Sequence, residues 1–116
     1  MLKIMQLLYK ICAATDWAGA QAAGAFTGAA IDQADGFIHL STIYQGRETA
    51  VRHFAGGKDL VLVAFARELL CGFQWESTRG GDLFPHVYGV IPVRAARWVR
   101  PLPLKGGVHV FPGEIP

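Results

Sequence analysis

Apolar and polar positions alternate over short stretches of this chain, and segments with helical spacing separate them, which is typical of a domain built from both strands and helices. The clearest strand is predicted at 59–65 (DLVLVAF). This segment is apolar on both faces, as expected of a central strand covered on two sides. Shorter strands are predicted at 7–12, 36–42, 73–76, 84–91 and 97–99.

Two main helices are predicted between these strands. The first begins at Trp17, with Thr15 or Asp16 as its N-cap, and Trp17 is expected to anchor it to the core. The second follows Thr42, which has the spacing of a capping box with Gln45. This helix is expected to bury an apolar stripe made of Ile43, Ala50, Val51 and Phe54. Single helical turns are expected at 67–70 and 92–96.

The remaining segments predict loops and a tail. Small and acidic residues at 27–35 (TGAAIDQAD) indicate a loop. The Pro/Gly-rich segment 101–116 is expected to run extended over the surface, with His109 lacking an evident partner. The prediction is therefore one compact α+β domain at 1–100, with a mixed sheet and two main helices, on which the tail 101–116 packs.

Composition and charge narrow the function classes. The chain has 116 residues, of which 52% are hydrophobic and 17% charged, as in a packed globular protein. A net charge of +2 from scattered residues does not favour a nucleic-acid partner or an anionic membrane surface. No segment has the length of a membrane span or of a secretion signal, so a cytoplasmic protein is expected.

The two cysteines, Cys12 and Cys71, lie far apart in the sequence and each stands beside apolar residues. Their spacing excludes a zinc ribbon and a thioredoxin-type motif. Two reduced, buried thiols are the expected state, with a disulfide as the alternative.

Polar residues that carry chemistry recur near predicted strand ends. They form three clusters, namely His39, Ser41 and Thr42; Glu76, Ser77 and Arg79; and His86 and Tyr88. If the clusters converge in one cleft, their imidazoles, carboxylate and hydroxyls suit a polyhydroxylated small molecule or general acid–base chemistry near neutral pH. His39 stands before a predicted helix start, so its side chain and the backbone N–H groups of that helix can together hold an anionic or polar ligand.

Several segments together resemble the bacterial domain of unknown function 952 family. They are GFIHLST with Gln45 behind it, DLVLVAF, WE…RGGDLFPHVYG and the early YKI…W, and they span the chain up to about residue 100. The resemblance implies a small α+β domain with an ADP-ribosyltransferase-like fold and no established activity. In that fold a histidine or arginine on a first core strand grips NAD, and a later acidic residue often polarises the nicotinamide ribose.

The resemblance assigns roles to single residues. His39 resembles the first-strand histidine that hydrogen-bonds the adenosine-side ribose, with Ser41 and Thr42 beside it, and Glu76 resembles the late glutamate. The middle-strand tyrosine of that fold has no counterpart, because Tyr88 follows Glu76 in the chain. The implied catalytic pair is thus His39 and Glu76. Further ligand contacts are expected from Ser41, Thr42, Gln45, Arg79, His86 and Tyr88.

Four interpretations remain open. The first is an enzyme, or degenerate enzyme, that takes NAD or a related nucleotide as substrate for ADP-ribosyl transfer or hydrolysis. The second is a non-catalytic small-ligand binding domain with the same cleft. The third is a metal hydrolase with His39, His86 and Glu76 as ligands, although no H-x-x-x-H pair supports it. In the fourth, these residues only hold loops in place.

Overall fold

A computed structural model describes residues 6–78 and 80–112 of the chain. Within these residues, ten strands and three α-helices follow one another along the sequence. They are β1 (Leu7–Ala13), α1 (Ala14–Ala23), β2 (Ala25–Phe26), α2 (Ala30–Asp35), β3 (Ile38–His39), α3 (Ile43–His53), β4 (Leu60–Ala66), β5 (Phe73–Ser77), β6 (Leu83–Val87), β7 (Ile91–Pro92), β8 (Ala96–Pro101), β9 (Leu104–Lys105) and β10 (Val108–His109). Short 3₁₀ turns at Arg67–Leu69 and Val93–Ala95 confirm the two predicted single turns. None of these helices is long and apolar enough to cross a bilayer.

The strands form two three-stranded sheets and two two-stranded ladders. The sheets have the orders β1-β4-β8 and β3-β6-β5, and the ladders are β2-β7 and β9-β10. Every pairing between these strands is antiparallel, so the prediction of a mixed sheet is wrong. The reason is that no helix serves as a crossover between two hydrogen-bonded parallel strands. The α+β class is confirmed.

The middle strand β4 confirms the prediction of a strand covered on both faces. Its alternate side chains enter two apolar clusters. Val63 and Phe65 pack with Trp17 of α1, which confirms the anchoring role of that tryptophan. On the other face, Leu62 packs in a cluster that includes Phe111 from the C-terminal segment. Both layers of the domain therefore depend on this one strand.

The first helix begins three residues earlier than predicted, at Ala14, and neither Thr15 nor Asp16 caps it. Strand β1 runs directly into the helix. The backbone N–H of Ala14 donates to the carbonyl of Asp59, 2.7 Å away. A residue that is distant in the sequence therefore satisfies an N–H group at the helix start, where the sequence predicts a side-chain cap. Such a bond between distant residues is not visible in a local sequence pattern.

The segment predicted as a loop at 27–35 contains α2, and that prediction is wrong. Asp32 organises the helix start, because its carboxylate accepts the N–H of Ala29 at 2.7 Å. Gly28 precedes it at φ +99°, and a Cβ added there would lie 2.8 Å from the Cβ of Asp32. The glycine permits this backbone conformation and close approach together.

The third helix confirms its predicted capping box. The Thr42 hydroxyl accepts from the N–H of Gln45 at 3.2 Å, and the Gln45 amide oxygen accepts from the N–H of Thr42 at 3.0 Å. The predicted apolar stripe is only partly right, since Ile43 and Val51 are exposed. The buried face consists of small residues, Gly46 and Ala50, against which the ring of Phe111 can pack.

The C-terminal segment enters the core, contrary to the prediction of an extended surface tail. Its strands β9 and β10 form a hairpin, and Leu102 and Phe111 are buried in the second apolar cluster. His109 has a partner after all, because its Nε2–H donates to the carbonyl of Gly57 at 2.8 Å. Residues 113–116 lie outside the described part of the chain.

A buried ion pair joins three elements. Lys10 of β1 and Asp32 of α2 are almost fully buried, and Lys10 Nζ lies 2.8 Å from both carboxylate oxygens. Lys10 also donates to the carbonyl of His39 in β3 at 3.0 Å, and Asp32 accepts the N–H of His39 at 3.0 Å. Every strong hydrogen-bonding group of the pair therefore has a partner, as burial of charge requires.

We expect Lys10→Met to lower the free energy of unfolding by about 3–5 kcal/mol, because it leaves the charge of Asp32 buried without its counter-ion. Urea unfolding followed by circular dichroism measures the change. Lys58→Met, at an exposed lysine, is the control and should stay within about 0.5 kcal/mol of the wild type. Equal stability of the two variants would contradict a structural role for the pair.

The two cysteines differ in environment. Both are free, but only Cys12 is buried as predicted, whereas Cys71 is exposed in the turn before β5. The prediction of two buried thiols is therefore wrong for Cys71. Burial raises the pKa of the Cys12 thiol to about 12, so this group is not a nucleophile in the folded protein.

Iodoacetamide should consequently alkylate Cys71 in the native protein and leave Cys12 unmodified until the chain unfolds. Peptide mass spectrometry after a short exposure at neutral pH measures both sites. The Cys71→Ser variant is the control and should incorporate no label under native conditions. Labelling of Cys12 at the rate of Cys71 would show that the first sheet opens readily.

Candidate functional site

Members of all three polar clusters meet at the second sheet. Strand β3 pairs with β6 so that His39 stands opposite His86, and β5 pairs with the other edge of β6. This register brings Glu76 of β5 within reach of His86 and of Tyr88, which follows β6. The convergence of His39, Glu76, His86 and Tyr88 is thus a product of strand pairing.

Glu76 receives two hydrogen bonds on one carboxylate oxygen. His86 Nδ1–H donates to Oε1 at 2.8 Å and the Tyr88 hydroxyl donates to the same atom at 2.7 Å. The bond from Tyr88, followed by that from His86, lowers the pKa of Glu76, while Glu76 raises the pKa of Tyr88. Oε2 of Glu76 has no hydrogen-bond partner among residues 6–78 and 80–112, and the side chain is 36% exposed.

Four rings form a cluster around Phe37, which we call the ring cluster: Phe37, His39, His86 and Tyr88. Phe37 stacks on His86 with centroids 4.1 Å apart, and His39 meets His86 edge-on at 5.4 Å. His86 is buried, whereas Phe37 and His39 are half-buried and Tyr88 is exposed. The cluster therefore has a packed base and an accessible rim.

Three residues that sequence reasoning missed hold His39 in this cluster. Asp35 accepts from the His39 ring at Nε2 (2.7 Å), and the Lys10–Asp32 pair binds its backbone. One signal was available, since a lysine within the apolar run LLYKIC needs a buried partner if the strand is covered. Asp32 and Asp35 carry no such signal, because acidic residues are common in the loop that the sequence predicts at 27–35.

The other predicted ligand contacts have structural partners. Ser41 Oγ lies 3.1 Å from Thr49 Oγ1, and Thr42 caps α3. Gln45 completes that cap and also donates to the carbonyl of Leu83 at 2.7 Å. No hydrogen bond joins Ser41, Thr42 or Gln45 to the ring cluster in the described residues. Arg79 lies outside the described residues.

An open pocket of about 250 Å³ adjoins the ring cluster at Phe37. It lies between α2, β3 and the turn after β6, and its lining residues are Thr27, Asp32, Gln33, Gly36, Phe37, Ile38 and Gly89. Its size is below the roughly 300–1,000 Å³ of sites that enclose drug-sized ligands. It can therefore enclose one ring or sugar of a larger molecule.

The hypothesis of a metal hydrolase gains no support from this geometry. No group of three or more His, Cys, Asp or Glu side chains is placed to hold a metal ion within residues 6–78 and 80–112. The physical reason is that the imidazole nitrogens nearest the carboxylates already pair with them, His86 with Glu76 and His39 with Asp35.

Comparison with known proteins places these features in a family. The model of the family described as "Protein of unknown function (DUF952)" matches residues 11–99. The crystal structure of Protein CC0527 from Caulobacter crescentus is 43% identical, with a TM-score of 0.84 over 90% of this chain and 93% of that one. The solution NMR structure of CC0527 is 44% identical, with a TM-score of 0.79 over 88% and 90%. No curated protein gives a significant match.

Loss of the hydrogen bond from Tyr88 is predicted to change the pKa of Glu76. Tyr88→Phe should raise the pKa of Glu76 toward its ordinary value, because the largest cause of its lowering is removed. A carboxyl ¹³C NMR titration measures the pKa. Tyr44→Phe, at a tyrosine that is 91% exposed, is the control and should leave Glu76 unchanged.

The same shift predicts a dependence of stability on pH. A carboxyl whose folded-state pKa is lowered stabilises the fold above its ordinary pKa and loses that contribution as the pH falls through the lowered value. The wild type should therefore lose more stability than Tyr88→Phe between neutral pH and that value. Identical pH profiles for the two proteins would contradict the assignment.

Proposed function

We propose a nucleotide-binding role for this chain, which belongs to the DUF952 family of proteins of unknown function. In this proposal the ring cluster lies in a cleft of an ADP-ribosyltransferase-like fold and binds NAD or a related nucleotide. The observation that carries the proposal is the hydrogen bonding of the Glu76 carboxylate. One of its carboxylate oxygens is held by His86 and Tyr88, and the other is left to accept a hydrogen bond from a ligand.

The chemistry assigned to Glu76 is stabilisation of developing positive charge. When the bond between ribose C1′ and the nicotinamide nitrogen breaks, its electron pair leaves with nicotinamide and the ribose becomes oxocarbenium-like. A carboxylate hydrogen-bonded to the ribose 2′-hydroxyl stabilises that state. Water, or an acceptor group, then forms the new bond at C1′ and loses its proton to solvent. His39 is assigned to the ribose on the adenosine side.

The rings of the cluster suit the flat parts of a nucleotide. Phe37 is half-buried and lines the open pocket, and Tyr88 presents an exposed ring whose centroid lies 5.4 Å from that of Phe37. Aromatic side chains in this arrangement stack on planar heterocycles with little loss of side-chain entropy, because neighbouring rings already restrict them. The pocket can accommodate one such heterocycle.

A second candidate is a non-catalytic domain that binds a smaller ligand in the same place. The size and openness of the pocket favour it, since about 250 Å³ encloses only part of a dinucleotide. Both candidates require a ligand at the ring cluster. They differ in whether Glu76 takes part in bond cleavage or only in binding.

Calorimetric titration with NAD tests the proposed nucleotide binding. We expect the wild type to bind and His39→Ala to bind about tenfold or more weakly, since a hydrogen bond to the ligand is lost. His53→Ala removes an exposed histidine from α3 and serves as the matched control, with unchanged affinity. The absence of heat for NAD in the wild type would overturn the proposal.

Chromatographic measurement of released nicotinamide distinguishes the two candidate functions. For an enzyme, Glu76→Gln should keep binding but reduce release by about 100-fold or more, while Glu48→Gln, at an exposed glutamate paired with Arg52, should behave as wild type. For a binding domain, neither the wild type nor Glu76→Gln releases nicotinamide although NAD binds.

A further inference from the structure

His39 is held by its backbone in an uncommon way. Its N–H donates to Asp32 Oδ1 and its carbonyl accepts from Lys10 Nζ, each at 3.0 Å. Both backbone groups are thus bound by one buried ion pair. The position of the His39 side chain is consequently tied to two charged side chains that are almost fully buried, Lys10 and Asp32.

The imidazole of His39 is oriented by a separate carboxylate. Its Nε2 lies 2.7 Å from Asp35 Oδ2 and 4.0 Å from Asp32 Oδ1. An ionised carboxylate only accepts hydrogen bonds, so Nε2 carries the proton. In the neutral ring Nδ1 is then an acceptor. Nδ1 has no hydrogen-bond partner within the described residues, and the side chain is 36% exposed.

The carboxylate of Asp35 contributes little to the stability of the fold. It is the last residue of α2, where the partial negative charge of the helix end disfavours a carboxylate. It is also 42% exposed, and an exposed ion pair contributes little to folding. Its hydrogen bond with the His39 ring is therefore better explained by the orientation of that ring than by stability.

The free groups at the rim of the ring cluster are therefore acceptors. They are Nδ1 of His39 and Oε2 of Glu76, and the carboxylate of Asp35 adds a second negative charge nearby. Lys10, which contacts the backbone of His39, is buried and engaged by Asp32 and the His39 carbonyl. A ligand that meets these groups must bring hydrogen-bond donors, and a phosphate at the same place would meet like charge.

We propose that Asp35 is a positioning and specificity residue of this site: it fixes the Nε2–H tautomer of His39, so that the site accepts the hydroxyl groups of a sugar and rejects a phosphate attached to them. Applied to the proposed function, on which this part rests, the site binds NAD in preference to NADP, whose adenosine ribose carries a 2′-phosphate. Asp35 acts through His39 and needs no contact with the reacting atoms.

The tautomer is measured without any ligand. Long-range ¹H–¹⁵N NMR spectra at pH about 8, where an ordinary imidazole is neutral, should show His39 as the Nε2–H form in the wild type. Asp35→Ala should convert that signal to a mixture of tautomers without lowering the stability of the fold. Glu68→Ala, at an exposed carboxylate of the first 3₁₀ turn, is the control and should leave the signal unchanged.

Specificity is measured by titrating NAD and NADP into the same proteins. The wild type should bind NADP about tenfold or more weakly than NAD, and Asp35→Ala should narrow that ratio while Glu68→Ala keeps it. The ratio is used because a general loss of folding lowers both affinities equally.

The outcomes separate this inference from the proposed function. An Nδ1–H or doubly protonated His39 in the wild type, or a signal that Asp35→Ala does not change, overturns the positioning role. Equal affinity of the wild type for NAD and NADP overturns the specificity role. The expected tautomer together with no binding of either nucleotide overturns the proposed function and the nucleotide specificity, but supports the positioning of His39.

Discussion

The buried pair of Lys10 and Asp32 is the constraint on which the site depends. Removing two charges from water costs several kcal/mol per ion in proteins, so such a pair persists only when its geometry satisfies all of its hydrogen-bonding groups. Here that requirement fixes the distance between β1, α2 and β3, because the remaining partners are the N–H of Ala29 and the backbone of His39. The same contacts that make burial tolerable also place the histidine.

Strand pairing supplies the rest of the arrangement. The antiparallel register of β3, β6 and β5 puts His39 across from His86 and brings Glu76 close to both His86 and Tyr88. Ile38 and Val87, which alternate with these polar residues, belong to the first apolar cluster. One face of the sheet therefore packs against the core while the other carries the ring cluster, as the period of two along a strand requires.

The C-terminal segment and α3 complete the domain on the other side of β4. Their contact uses small residues on the helix, Gly46 and Ala50, with Phe111 filling the space. Neighbours that are 43% and 44% identical to this chain have similar overall structures, with TM-scores of 0.84 and 0.79. The fold is thus common to this chain and CC0527, while the proposed functions rest on Glu76 and on side chains of the ring cluster.

Local sequence patterns determined the elements whose cause is local. The doubly apolar run of β4, the capping box of Thr42 and Gln45, and the single turns all follow from spacing and residue type, and the structure contains each of them. The polar residues at strand ends were also recognisable, including His39, Glu76, His86 and Tyr88. Tertiary structure alone decided what depends on distant partners. The burial of Lys10 and Asp32 and the meeting of the four site residues arise from bonds across 7 to 29 positions of the chain, which no local pattern records.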